Sequence, residues 1–295
     1  MKGIYWISSF TVLMVLYGCE KNINIRLKAS EPELVVEATI ENGQPPVVIL
    51  SQSINYFSRI TPAILENSFI HDASVFVSDG SLTHHLKEYK ISLGSGYNVY
   101  YYSIDSSNLA TAFTGRLHSA YSLRINWKGN DYTATTTIPK ITKKIDSLFW
   151  EPAPGNNKPG KVALMIRATD PPGLGDYIRY FTKRNSEPFY PGLTSVFDDQ
   201  IVDGTTYTVR IDRGVDRNAS RSDDYMYFDK GDTITLKLCN IDKATFDFWR
   251  TMEFNYATAG NPFSSPTQVV NNIRGNALGY FGGYAAQYHT IIVPR

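Results

Sequence analysis

The stretch AYSLRINWKGNDYTATTTIP, residues 120–139, decides the fold class. Tyr121, Leu123, Ile125 and Trp127 fall on one side of an extended chain, with Ser122, Arg124, Asn126 and Lys128 on the other. Gly129, Asn130 and Asp131 supply turn chemistry. Tyr132, Ala134, Thr136 and Ile138 then repeat the alternation on the way back. Side chains of a strand alternate between faces with a period of two, so the pattern predicts an antiparallel hairpin with one buried face. Pro139 ends it, because proline cannot donate a ladder hydrogen bond.

The same pattern extends outward from the hairpin. In ELVVEATI, Leu34, Val36, Ala38 and Ile40 alternate with Val35, Glu37 and Thr39; the turn ENGQPP and the strand VVILSQS follow. ASVFVSD places Ala73, Val75 and Val77 on one side. Short strands separated by Gly, Asn and Pro over about 110 residues fit an immunoglobulin-like β-sandwich at 32–139. After the junction PKITKK, a second antiparallel β domain is expected at 145–295. IDSLFW and KVALMIRATD flank a long turn, DPPGLGD leads as a hairpin turn into DYIRYF, and GTTYTVRID and DTITLKLCN are further strands. One helix is expected near 242–256, in DKATFDFWRTMEFNY. Asp242 is its N-cap, and Phe246, Trp249, Met252 and Tyr256 form its apolar stripe. The fold class is therefore all-β with a single helix.

The N-terminus points to the cell envelope. Residues 4–16 carry no acid or base and have the length of a signal-peptide core, well short of the roughly 20 residues of a membrane span. The run ends Leu16-Tyr17-Gly18-Cys19, which resembles a lipobox with Cys19 as the lipidated residue, so residues 1–18 read as a lipoprotein signal peptide and 19–31 as a tether. Several acyl chains anchor a protein firmly, since each buried methylene contributes about 0.8 kcal/mol. Glu20, rather than Asp, follows the cysteine and favours the outer membrane. Losing residues 1–18 removes one of the 29 Lys and Arg residues, so that bases and the 28 acids are equal in number. A neutral mature chain argues against nucleic acid as a partner. Cys239 is the one cysteine left beside Cys19, which excludes a disulfide framework.

Reactive constellations are sparse. His71, His84, His85, His118 and His289 form no zinc motif, and adjacent His84 and His85 on a strand face opposite ways, so surface or half-buried histidine is the reading. In the acidic region 198–224, Asp198, Asp199 and Asp203 cluster, as do Asp212, Asp216, Asp223 and Asp224. Arg210, Arg213, Arg217 and Arg221 balance them, and the spacing lacks that of a calcium loop, so a solvated, salt-paired loop is expected, with calcium binding by this loop as the lesser alternative. Ser95 lacks the spacing of a nucleophile elbow, and Cys239 reads as a packed strand residue. The glycines of RGNALGYFGGY, Gly275, Gly279, Gly282 and Gly283, lead into a strand and suit close backbone packing. YNVYYYS, with Tyr97, Val99 and Tyr101 opposite Asn98, Tyr100 and Tyr102, serves either as core or as an aromatic recognition face. No catalytic, metal or cofactor site is assigned; the ligand-binding residues are left open.

Four stretches together resemble the domain-of-unknown-function family 4249, outer-membrane lipoproteins of the Bacteroidota. They are GCEKNINI, PELVVEATIENGQPPVVILSQS with ASVFVSDG, IRATDPPGLGDYIRYF, and NPFSSPTQVVNNIRGNALGYFGGY, which is the most specific. The resemblance implies an exported, lipid-anchored, two-domain protein serving beside a TonB-dependent outer-membrane receptor, and it carries no catalytic residues over. The expectation is a non-enzymatic outer-membrane lipoprotein, an accessory or ligand-delivery partner of such a transporter. The alternative is a glycan- or peptide-binding cell-surface module.

Overall fold

The computed structural model describes residues 32–54, 61–94, 96–155, 160–261, 263–265 and 267–295. The leader 1–18, the tether 19–31 with Cys19, and Ser95 lie outside the described residues. No described helix is long and apolar enough to cross a membrane.

The chain is built on strands, as its alternation predicts. In order they are β1 (Leu34–Glu41), β2 (Val47–Gln52), β3 (Ser74–Ser78), β4 (Thr83–His85), β5 (Lys87–Gly94), β6 (Tyr97–Ser103), β7 (Ser119–Trp127) and β8 (Asn130–Ile138). The second half holds β9 (Lys144–Pro152), β10 (Lys161–Thr169), β11 (Tyr177–Arg184), β12 (Tyr190–Phe197), β13 (Thr206–Ile211), β14 (Phe228–Asp229), β15 (Thr233–Ile241) and β16 (Leu278–Ile292). Among the described residues two α-helices accompany them: α1 (Pro62–Ser68), which the sequence reading did not find, and α2 (Lys243–Thr258), where it was expected.

The decisive hairpin forms with β7 and β8 paired from Ser119–Ile138 to Trp127–Asn130. Its turn sits one residue earlier than the sequence suggests. Lys128 and Gly129 are the two central residues, with φ of 50° and 77°, and Asn130 is already paired. Positive φ at both central positions is the turn that matches the natural twist of two strands.

An eight-stranded sheet, in the order β12-β11-β15-β16-β1-β2-β6-β5, runs through both halves of the chain. One of its faces carries two smaller sheets. The sheet β4-β3-β7-β8 packs on β1, β2, β6 and β16 and closes the N-terminal immunoglobulin-like sandwich over a core containing Val36, Ile40, Leu50, Val77, Leu123 and Ile138. The sheet of β9, β10, β13 and β14 encloses a second core, with Leu164, Ile166, Phe228, Leu236 and Leu238.

Two sequence expectations are corrected. First, the pairing is not antiparallel throughout: β16 runs parallel to β1, from Val35–Leu278 to Glu41–Tyr284, so the chain's last strand ties the two halves together. Second, DPPGLGD is no hairpin turn. β10 pairs with β9, β13 and β14, while β11 pairs with β12 and β15, so residues 170–176 carry the chain from one sheet to the other. The crossing is held because Asp199 accepts the N–H groups of Gly175 and Asp176.

The glycines of β16 explain how it fits between its neighbours. Gly279 has φ 108°, and a Cβ there would stand 1.8 Å from the Val36 carbonyl oxygen. At Gly283 it would stand 2.4 Å from the Thr137 carbonyl oxygen. Both positions need the missing side chain for backbone to approach backbone, as the sequence reading held.

Candidate functional site

The other face of the eight-stranded sheet is partly covered by α2, and the candidate site lies along that helix. Asp242 starts it. One carboxylate oxygen accepts from the Thr245 N–H at 2.8 Å, and the other accepts from Thr136 Oγ1 at 2.8 Å and the Thr137 N–H at 2.9 Å. The cap therefore also pins the helix to β8. Phe246 and Phe248 are buried against Cys239, Tyr280, Tyr284 and Ala286, with Trp249 and Met252 half-buried beside them. Phe248 stacks on Tyr280 at 4.4 Å between centroids. Tyr256, assigned to the apolar stripe, is instead exposed, with the Arg217 guanidinium over its ring.

A buried polar chain joins α2 to the edge strand β12. The Trp249 indole N–H donates to Tyr284 Oη at 3.2 Å, and Arg179 Nη1 donates to the same oxygen at 3.0 Å. The Arg179 guanidinium lies 3.4 Å from the Trp249 ring centroid and donates through Nε to Ser195 Oγ at 3.2 Å. Ser195 gives its own proton to Glu253 Oε1 at 2.5 Å, and its N–H donates to Oε2 at 2.8 Å. Arg179 is 3% exposed, Ser195 0% and Glu253 5%. At the outer end Arg217 stands 3.7 Å from Glu253, donates to the Leu193 carbonyl at 3.2 Å and covers the Tyr256 ring. Arg179, Ser195 and Glu253 are buried and satisfy one another, while Arg217 reaches the surface. The arrangement holds a shape; Ser195 has no exposed face from which to attack a substrate.

Around this network runs a cleft of about 1320 Å³, walled by β11, β12, β13, residues 198–202, residues 212–225 and the second half of α2. Pockets of this size hold small molecules or short polymers. Its lining includes Arg210, Arg217, Arg221 and Arg250 together with Tyr180, Tyr207, Tyr225 and Phe197. Arg210 pairs with Asp212 and Arg217 with Glu253. Arg221 and Arg250, both exposed, pair with no carboxylate among the described residues and lie near the Tyr225 and Phe246 rings. A family model described as a domain of unknown function, DUF4249, matches residues 20–289. The chain belongs to that family. No curated protein matches it.

In this DUF4249 chain the candidate residues read from sequence are dispersed. Asp199 is not part of a solvated loop: it is 2% exposed and anchors residues 170–176. Asp203 accepts from the Gly173 N–H, and Asp224 pairs with Lys161. Arg213 bonds Glu187 and Arg217 bonds Glu253, both outside the acidic region they were taken to balance. His84 is fully buried rather than half-exposed. Its Nε2 accepts from the Asp105 N–H, its Nδ1 lies 2.9 Å from Thr111 Oγ1, and burial pulls its pKa down, so it is a neutral core residue. Cys239 is fully buried, and that burial pushes its thiol up to about 12. Tyr102 is core, bonding the Ile70 carbonyl, whereas Tyr101 stacks on Tyr89.

Lys143 and Asp170 were missed. The PKITKK junction looks solvated, yet Lys143 is 1% exposed and 3.3 Å from Asp170, also 1% exposed. The available signal was an acid at each end of a Gly/Pro-rich turn, which marks a turn whose ends meet something. Arg179, Ser195 and Glu253 carried no signal, because nothing in their local patterns brings them together.

Proposed function

We propose that this protein is a non-enzymatic outer-membrane lipoprotein that carries a ligand in the α2 cleft and serves a TonB-dependent transporter as an accessory. The observation that supports it most is the pairing of a large cleft with two unpaired arginines, Arg221 and Arg250, at its aromatic rim. Guanidinium groups beside ring faces suit a ligand with a carboxylate or another anionic group and an apolar body. The groups deeper in the site are committed to one another, which favours holding a ligand over transforming it. Cys19 supplies the anchor and the polar residues after it the tether.

Native mass spectrometry of the full chain, extracted from membranes in detergent, tests the ligand. A bound anionic molecule is expected, lost when Arg221 and Arg250 are both changed to Glu. A chain that emerges empty and takes up no acidic peptide or acidic oligosaccharide contradicts the reading.

A second reading, a glycan- or peptide-binding module, is favoured by one separate feature. Tyr89 and Tyr101 stack at 5.7 Å on β5 and β6, beside Ile91 and Leu93, which are 47% and 67% exposed. A ligand array on the Tyr101→Ala chain separates the two: binding lost there, but kept in the arginine variant, assigns recognition to the strands.

A further inference from the structure

Three carboxylates from two crossing loops meet beside the cleft. Asp170 follows β10, Asp176 precedes β11 and Asp199 lies just beyond β12. One carboxylate oxygen from each lies within 4.8 Å of the others. Asp199 reaches this place through two N–H bonds to its Oδ2, from Gly175 at 2.8 Å and Asp176 at 2.9 Å. Asp176 Oδ1 accepts from Thr142 Oγ1 at 2.7 Å.

Asp170 stands apart from the other two. It is 1% exposed, and neither of its carboxylate oxygens receives a hydrogen bond. Its neighbouring cation is Lys143, with Nζ 3.3 Å from Oδ1, and one of its carboxylate oxygens lies in the cluster with the other two acids. Buried polar atoms almost always have a partner. The charge also fails to close: three carboxylates and one ammonium leave two negative charges shared among buried Asp170 and Asp199 and half-buried Asp176. An uncompensated buried charge costs several kcal/mol.

We infer that Asp170, Asp176 and Asp199 bind a divalent cation of the calcium type. The donors are all hard oxygens, which excludes the soft-ligand metals. Calcium accepts irregular, carboxylate-rich oxygen sets at about 2.4 Å, whereas magnesium demands near-ideal octahedral geometry and keeps several waters, so three carboxylates converging from separate loops suit calcium better. The ion takes one oxygen from each carboxylate, with Lys143 remaining beside Asp170. The ion would clamp residues 170–176 to residues 198–203, and Asp198, Ile201 and Val202 of that second segment form one wall of the cleft.

The test is calcium binding by the full chain in detergent, stripped with a chelator and titrated with Ca²⁺, with Tb³⁺ luminescence as a second readout. Saturable binding of one ion at or below about 1 mM, with a rise of several degrees in Tm, is the expected result. Asp176→Asn keeps an acceptor for Thr142 while removing a ligand charge. It is expected to weaken binding by about ten-fold or more without lowering the Tm of the stripped protein. Should that variant not fold, the wild-type titration alone decides. No bound ion and identical Tm values with and without about 1 mM Ca²⁺, or unchanged affinity in a folded Asp176→Asn chain, overturn the inference.

Discussion

Glu253 of the helix holds Ser195 of the edge strand at both its N–H and its hydroxyl, at 2.8 Å and 2.5 Å. This contact fixes how far α2 stands from β12, and so the width of the cleft. Glu253→Ala leaves the Ser195 N–H and hydroxyl without their acceptor and Arg217 without its paired carboxylate. A loss of about 3 kcal/mol is expected, in the range for breaking a buried charged pair. Glu253→Gln keeps an acceptor and should lose about half as much. Urea unfolding checks both, as a lower midpoint at an unchanged slope.

The contact of Gly279 with the Val36 carbonyl makes the parallel pairing of β16 with β1 dependent on one missing methyl. Gly279→Ala combines a φ of 108° with a Cβ 1.8 Å from backbone oxygen. Destabilisation above about 3 kcal/mol is expected. Gly80→Ala, at φ 89° but with open space around it, should lose only about 1 kcal/mol. Comparing the thermal transitions of the two variants separates crowding from backbone strain alone.

Acid sensitivity has an identifiable contributor in Asp79, in the turn between β3 and β4. The Leu82 N–H at 2.8 Å lowers its carboxyl most, helped by Ser81 and by Arg116 at 2.6 Å, down to about 2. A carboxylate depressed by folding stabilises fully above its unfolded pKa, near pH 4, and loses that contribution as pH falls toward about 2. The stability gap between the protein and Asp79→Asn should stay constant above about pH 5 and shrink below pH 4. Denaturation curves across that range check it; a gap that holds down to pH 2 would rule Asp79 out as the source.

Cys239 should be chemically silent. Thiolate is the reactive form, and a thiol at about 12 with no exposed surface offers almost none. Iodoacetamide labelling of Cys239 is expected only at the rate of global unfolding, and labelling should be complete in denaturant. Fast labelling of the folded protein would mean that β15 opens locally.

The strands were legible because their signal is local. In β1, β7 and β8 the alternating residues that read as apolar are the ones the core buries, including Val36, Leu123 and Ala134. The Asp242 cap was legible for the same reason, since it sits three residues from the N–H it binds. The partnership of β16 with β1 was not, because more than two hundred residues separate Val36 from Gly279 and period two does not encode strand direction. Residues 170–176 misled because a Gly/Pro turn between two strands looks the same whether the strands pair or belong to different sheets. The site suffered most: Arg179, Ser195 and Glu253 meet only through tertiary packing, and Lys143 carries the composition of a surface junction.

The lipid-anchored accessory role is tested most directly by mild detergent solubilisation of outer membranes and identification of what accompanies the chain, with Cys19→Ala as the control. The expected result is an acylated Cys19 and a TonB-dependent receptor recovered with the wild-type chain, both absent from the control. An unacylated chain recovered from the soluble fraction, with no such receptor, would contradict it.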